Sequence, residues 1–315
     1  RFDEVRIRGT YRIRRMNRSG ETRIYLVKNS PDNIRCEHMG YDRVQSTTKW
    51  ACISPSGSFI KRRMLKYFQA RDTVYVSRSP GELIPTARGL VQTIAHEEML
   101  MSDCTHVYIG TPTDTHERLV LDCIKAGKHV LVEKTPATCS LRFQEVQRLA
   151  NKYGCKLEVA CQCYELFRHC QKQVSAGVDR IEVSMNLPLE GRHKNPVWDV
   201  AWYGLVLGQT CSRGRACDWK EFTRIEKLYR VHLKYPNFVL HFEFSIDAKF
   251  KQELSTLGFP GNEVREKPFT GRHSMLDYGA SIDRFERGEV VVLPHVESAL
   301  PLFDWVQSRY DNAIS

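Results

Sequence analysis

The pattern of apolar and polar positions changes character twice along the chain. In the first 47 residues, Val5-Arg6-Ile7-Arg8 and Tyr11-Arg12-Ile13-Arg14 alternate apolar with basic side chains, the period of a half-exposed strand. Asn17-Arg18-Ser19-Gly20 is a turn signal, and residues 22–27 resume the strand. A basic β-ribbon is expected over this appendage. From Lys49 the grammar becomes strand, turn, helix. Short apolar runs at 50–53, 73–76, 106–109, 129–132 and 156–160 predict strands, with helices over 61–70, 91–101, 115–126 and 140–153. Gly127 and Gly154 stand where the last two helices should stop. Such alternation implies a parallel sheet covered by helices on both faces.

After about residue 165 the pattern alters again. Residues 180–186, 225–234, 239–246 and 251–257 read as strands with few helices between them, which predicts a mainly antiparallel sheet. The fold class expected is therefore α/β: a doubly wound parallel sheet over 48–165, then an α+β domain with a mainly antiparallel sheet over 166–315. The two should share a cleft, where ligands commonly bind.

Composition narrows the function classes. No apolar run approaches the roughly 18 residues that cross a bilayer, so no membrane partner is expected. The start of the chain lacks the apolar stretch of a signal peptide. The 11 cysteines are odd in number, and Cys161-Gln-Cys163 and Cys211…Cys217 lack zinc-site spacing. They read as reduced thiols in an intracellular, reducing compartment, cytoplasmic or organellar, with no metal site. The net charge of +10 suits a phosphate-bearing ligand, an acidic protein or nucleic acid, and by itself selects none of them. Residues 1–28 hold nine basic side chains against three acidic ones. An edge ribbon whose arginines prevent further strand pairing accounts for this, as does a contact with nucleic acid or an acidic protein.

The chemistry lies in two motifs. Gly110-Thr111-Pro112-Thr113-Asp114-Thr115-His116 follows the third strand, and Ala126-Gly127-Lys128-His129-Val130-Leu131-Val132-Glu133-Lys134-Thr135-Pro136 spans the fourth. Together they resemble the glucose–fructose oxidoreductase, inositol dehydrogenase and related (Gfo/Idh/MocA) family, which carries Thr-Pro…His, Ala-Gly-Lys-His-Val and Glu-Lys-Pro at this separation. One Thr is inserted here, giving Glu-Lys-Thr-Pro. Asp199-Val200-Ala201-Trp202-Tyr203 resembles the Asp-x-Gly-x-Tyr motif of the branch that includes dihydrodiol dehydrogenase, with Ala201 in place of Gly. Residues 253–261 resemble the family's late strand and turn. The resemblance covers roughly residues 48–310 and implies a Rossmann-type coenzyme domain.

It also implies roles. Lys134 would lie between nicotinamide and substrate oxygen and handle the proton, with Tyr203 as its partner. A neighbouring ammonium would lower the phenol's pKa. Asp199, one turn before Tyr203, would orient substrate or tune the pair. Thr111, Pro112, His116 and Glu133 would flank the coenzyme, His116 more in a structural than a catalytic part. At the glycine-rich turn the match weakens. Ser54-Pro55-Ser56-Gly57-Ser58 keeps one glycine, out of register, so Ser54, Ser56 and Ser58 would have to replace phosphate contacts. After the second strand comes Ser77-Arg78, with no carboxylate following directly. This favours NADP over NAD, since Arg78 suits a 2′-phosphate.

The leading expectation is an oxidoreductase moving hydride between NADP(H) and a sugar, cyclitol or related small carbonyl or alcohol, as a homo-oligomer by family analogy. The alternative is a non-catalytic member, a pseudoenzyme with a structural or binding role, which could be RNA- or ribonucleoprotein-associated.

Overall fold

The computed structural model describes residues 48–54, 64–86, 89–186, 197–226, 228–245, 256–259, 262–266 and 278–314, together with three strands near the amino terminus. The chain divides into two compact units, 1–47 and 48–315. In the first, β1 (Asp3–Arg6), β2 (Tyr11–Arg18) and β3 (Glu21–Lys28) form an antiparallel meander, with Val5 opposite Ile13 and Ile13 opposite Leu26. The expected exposure of its arginines lies outside the described residues.

The second unit opens with β4 (Trp50–Ile53), all four residues buried, then α1 (Leu65–Phe68) and β5 (Thr73–Val76). Next come a hairpin, β6 (Leu83–Thr86) and β7 (Gly89–Gln92), the helix α2 (His96–Met101) and β8 (His106–Ile109). The helix expected over 91–101 is thus a strand followed by a shorter helix. Leu83 and Leu90 are exposed, so the hairpin has no apolar periodicity to announce it. The series continues with α3 (His116–Lys125), β9 (His129–Glu133), α4 (Ser140–Lys152) and β10 (Leu157–Ala160). The strands form one parallel sheet in the order β10-β9-β8-β4-β5. The order reverses between β4 and β8, and a crevice opens at such a point beyond the carboxyl ends of the strands.

After α5 (Tyr164–Ser175) the chain builds a second sheet. Its strands are β11 (Arg180–Asn186), β12 (Trp219–Ile225), β13 (Leu228–Tyr235), β14 (Phe238–Ser245), β15 (Thr256–Phe259) and β16 (Asn262–Glu266), in the order β12-β13-β14-β11-β15-β16. All its pairings are antiparallel except β11 with β14. The single run expected over 225–234 is two strands, because Glu226 takes a left-handed turn (φ 55°). One face of this sheet is apolar and packs on α6 (Trp202–Ser212), every residue of which is buried. Gly204 lets that helix approach: a Cβ there would stand 2.6 Å from the Phe242 ring.

Two helices then return to the first sheet. In α7 (Tyr278–Glu286), Phe285 and Ile282 join a cluster with Trp50 and Phe68. Glu286 accepts from Trp50 Nε1 at 2.7 Å and from Arg71 Nε at 2.8 Å. The start of α8 (Leu293–Ile314) is held by Glu158 of β10. The Glu158 carboxylate accepts backbone N–H groups from Val159 (2.6 Å), Val291, Val292 (2.9 Å) and Leu293 (2.9 Å) while 3% exposed. A carboxylate at a helix amino terminus meets both the unpaired N–H groups and the positive end of the dipole. We expect Glu158→Ala to lower unfolding free energy by about 3 kcal/mol or more, since several buried donors lose their acceptor. Urea denaturation measures this, and a change under about 1 kcal/mol would contradict it.

Candidate active site

A cavity of about 630 Å³ lies beyond the carboxyl ends of β4, β5 and β8, at the point where strand order reverses. That volume is within the usual range of ligand pockets. Ser54, Ser77, Arg78, Thr111 and Pro112 line it, as do Glu82 and Arg118. Ser54 adopts φ 66°, the left-handed conformation for which a glycine is usual, and its N–H donates to Val76 O at 2.8 Å. The residue that leaves β4 therefore takes this conformation without being a glycine. Ser56, Gly57 and Ser58 lie outside the described residues.

Sequence reasoning found no carboxylate at the ribose end because it looked only directly after β5. Glu82, five residues beyond Ser77, folds back to the same wall and accepts from Ser77 Oγ at 3.4 Å. The wall that carries Ser77 and Arg78 thus also carries a carboxylate.

Beside the cavity, His116 ties together the loops after β8 and β9. The His116 ring is 1% exposed and lies between two carbonyls, Nδ1 at 2.9 Å from Thr135 O and Nε2 at 2.7 Å from Thr111 O. Thr115 Oγ1 donates within the same turn to Pro112 O at 2.7 Å. This seats Glu133 and Lys134 at the end of β9. The Tyr108 hydroxyl donates to Glu133 at 2.8 Å. Burial pushes the Glu133 carboxyl up to about 7, while Tyr108 and the Lys134 ammonium act in the opposite direction.

Lys134 and Tyr203, 69 positions apart in sequence, meet: Nζ stands 5.1 Å from the phenol ring centroid. Tyr203 sits in the first turn of α6, 9% exposed. Its pKa is not lowered as the sequence suggested. Burial drives it well above the usual phenol range, nearby thiols and Glu133 add to this, and only the hydrogen bond with Gln162 opposes. Tyr203 therefore remains a protonated phenol, a donor and not a base. Asp199 precedes it in a single π-helical turn, Val197–Ala201. The Asp199 side chain lies outside the described residues.

Three groups at this end were not singled out from sequence: Tyr108, Gln162 as a partner of Tyr203, and Tyr278 of α7. Burial raises the Tyr278 phenol, with Glu133 and Tyr203 as charged or titratable neighbours. Tyr108 carried a signal, a polar aromatic at the end of a buried strand. Tyr278 carried none, because only the return of α7 brings it here. Among the described residues, no group of three or more His, Cys, Asp or Glu could hold a metal ion.

Glu133 makes stability pH-dependent. Its carboxyl rises from 4.5 to about 7 on folding, so between these values the folded chain binds more protons than the unfolded one. Its contribution is full below about 4.5 and is lost as pH rises towards 7. We expect the melting temperature of Glu133→Gln to fall less than that of the wild type between about pH 5 and pH 7.5. Parallel pH profiles would contradict the assignment.

The model of an oxidoreductase family with an NAD-binding Rossmann fold (GFO_IDH_MocA) matches residues 43–161. A search of curated protein sequences finds no match. Solved structures share the fold. The WlbA (WbpB) dehydrogenase from Thermus thermophilus, in complex with NAD and UDP-GlcNAcA, aligns with a TM-score of 0.65 at 13% identity, over 82% of this chain and 94% of that one. The aldose-aldose oxidoreductase from Caulobacter crescentus, complexed with glycerol, aligns with a TM-score of 0.61 at 15% identity, over 84% and 97%. The dehydrogenase MviM from Clostridium difficile gives 0.61 at 13% identity, over 82% and 98%. Over residues 43–161 the chain is thus similar to the Gfo/Idh/MocA oxidoreductase family, and over most of its length it shares the fold of these dehydrogenases.

Proposed function

We propose that the chain is an oxidoreductase that moves a hydride between a nicotinamide dinucleotide and a carbinol or carbonyl of a sugar, cyclitol or related small molecule. The observation that carries this reading is the meeting of Lys134 with Tyr203 beside the loops that border the cavity. The cavity suits a dinucleotide: Ser54 opens a tight turn without a bulky side chain, and Arg78 and Arg118 offer cations to a diphosphate. When bound, the coenzyme accepts or supplies the hydride.

The chain's own residues handle the proton. In oxidation the substrate hydroxyl donates a hydrogen bond to Lys134 Nζ, which takes the proton as hydride leaves carbon. The Tyr203 phenol, kept protonated by burial, donates to the same oxygen and fixes its position. In reduction the Lys134 ammonium returns the proton to the carbonyl oxygen. Glu133, adjoining Lys134 and titrating near neutrality, is placed to balance charge as Lys134 changes state.

The test is fluorescence titration of the full chain with NADH and NADPH, followed by turnover assays on aldoses and cyclitols. We expect at least one coenzyme to bind at micromolar concentration, and Lys134→Met to cut turnover by about 100-fold or more while retaining that binding. No binding by either coenzyme would favour the non-catalytic alternative.

A further inference from the structure

A second cavity, of about 260 Å³, lies at the far end of α6 from Tyr203. Three chain ends close round it: the last residues of α5, the last residues of α6, and the turn Pro236-Asn237 between β13 and β14. A water's share of liquid is about 30 Å³, so the space takes about eight groups of that size. Buried Cys211 and Tyr235 give it apolar walls, and exposed Arg213 and Arg215 bring charge to its rim. Among the described residues no carboxylate lines it, and neither arginine makes an ion pair. Arg213 Nη2 donates to Ser175 Oγ at 3.5 Å, the limit of a hydrogen bond.

Basic residues near a helix carboxyl end commonly bond its last carbonyls. Here the backbone and Gln171 do so instead. In α6, Gln209 O accepts from Gly214 N–H at 2.9 Å, Thr210 O from Gln171 Nε2 at 2.7 Å and Ser212 O from Arg215 N–H at 3.3 Å. In α5, Gln173 O accepts from Val178 N–H at 3.0 Å and Val174 O from Gly177 N–H at 3.1 Å. The two guanidiniums are thus surplus to the hydrogen bonding of either helix end. Arg213 also adopts φ 56° where it closes α6, a left-handed conformation usually given to glycine. A strained residue that keeps a long charged side chain beside a cavity points to a use for that side chain.

We propose that this cavity binds a small doubly charged oxyanion, a phosphate monoester, held by the guanidiniums of Arg213 and Arg215. Each guanidinium offers a planar fork of donors, and two of them match a dianion in charge. Ser175 Oγ and the Asn237 amide add neutral donors on the same wall. With no carboxylate among the described lining residues, no fixed negative charge there opposes the ligand. The site is separate from the cavity beyond β4, β5 and β8 and does not depend on the dinucleotide reading. Its ligand sits against the carboxyl end of the helix whose first turn carries Tyr203.

The experiment is calorimetric titration of the full chain with inorganic phosphate and with glycerol phosphate at constant ionic strength. Acetate is the singly charged control, and the proteins are the wild type, Arg213→Gly, Arg215→Ala and Arg78→Ala. We expect phosphate and its ester to bind the wild type at about 1 mM or below, and acetate more weakly. Arg215→Ala should weaken both phosphates by about tenfold or more, since a charge-assisted contact is lost. Arg213→Gly should lose the binding as well, yet melt higher than the wild type in phosphate-free buffer, because glycine relieves the left-handed strain. Arg78→Ala, altered in the other cavity, should keep the site. No binding by the wild type, acetate binding as tightly as phosphate, affinities unmoved in Arg213→Gly and Arg215→Ala, or loss of all binding in Arg78→Ala overturns the proposal. A lower melting point for Arg213→Gly in phosphate-free buffer also overturns it, because the guanidinium would then serve the fold.

Discussion

A single buried carboxylate holds the two halves of the large unit in register. Glu158 sits on the edge strand beside β9, the strand that ends in Glu133 and Lys134. By gathering the N–H groups of residues 291–293 it fixes where α8 begins. From there α8 runs across α6 and α4. Phe303 stacks on Trp198 with centroids 4.4 Å apart and rings 9° from parallel, and Ser140 Oγ donates to Asp304 at 2.6 Å. The helix α6, which carries Tyr203, is thus pressed between α8 and the second sheet. Burying a carboxylate costs several kcal/mol unless hydrogen bonds offset it, and four N–H donors do so here. Tyr203 thus lies on a helix that packs against the one Glu158 anchors.

Burial then sets the charge states around Lys134. A phenol beside an ammonium would be acidified in water. Here removal from solvent raises the phenol instead, and Tyr203 is held protonated. The same desolvation lifts Glu133 towards neutrality, although Tyr108 and Lys134 both stabilise its charged form. Lys134 thus stands beside two groups that burial makes reluctant to be charged. This ordering depends on packing and not on which residue types are present.

The parallel sheet was legible in sequence because its strands are short apolar runs buried on both faces, as at Trp50–Ile53 and His106–Ile109. The Glu-Lys and Thr-Pro…His motifs were legible because both are local, and each sits on a strand end or helix start as its spacing predicts. What escaped was made by return of the chain. The β6–β7 hairpin has four-residue strands with Leu83 and Leu90 exposed, too short a run to reveal it, and with it went Glu82. Tyr278 reaches the site only because α7 packs back on Trp50 and Phe68. The direction of the Tyr203 shift escaped for another reason: a motif names a residue's neighbours but not its distance from water.

The turn after β4 shows what the nucleotide-binding fold demands of its sequence. Glycines are usual there because the backbone must turn tightly and come close to a diphosphate. Ser54 makes the first of these with φ 66°, a conformation that costs a residue bearing Cβ about 1 kcal/mol or more. The hydrogen bond from its N–H to Val76 O repays part of that by tying the turn to the neighbouring strand. The substitution also places a hydroxyl at the cavity wall, where glycine offers only backbone. A strained residue that persists at a cavity wall and adds a polar group to it fits a binding surface better than a decayed one.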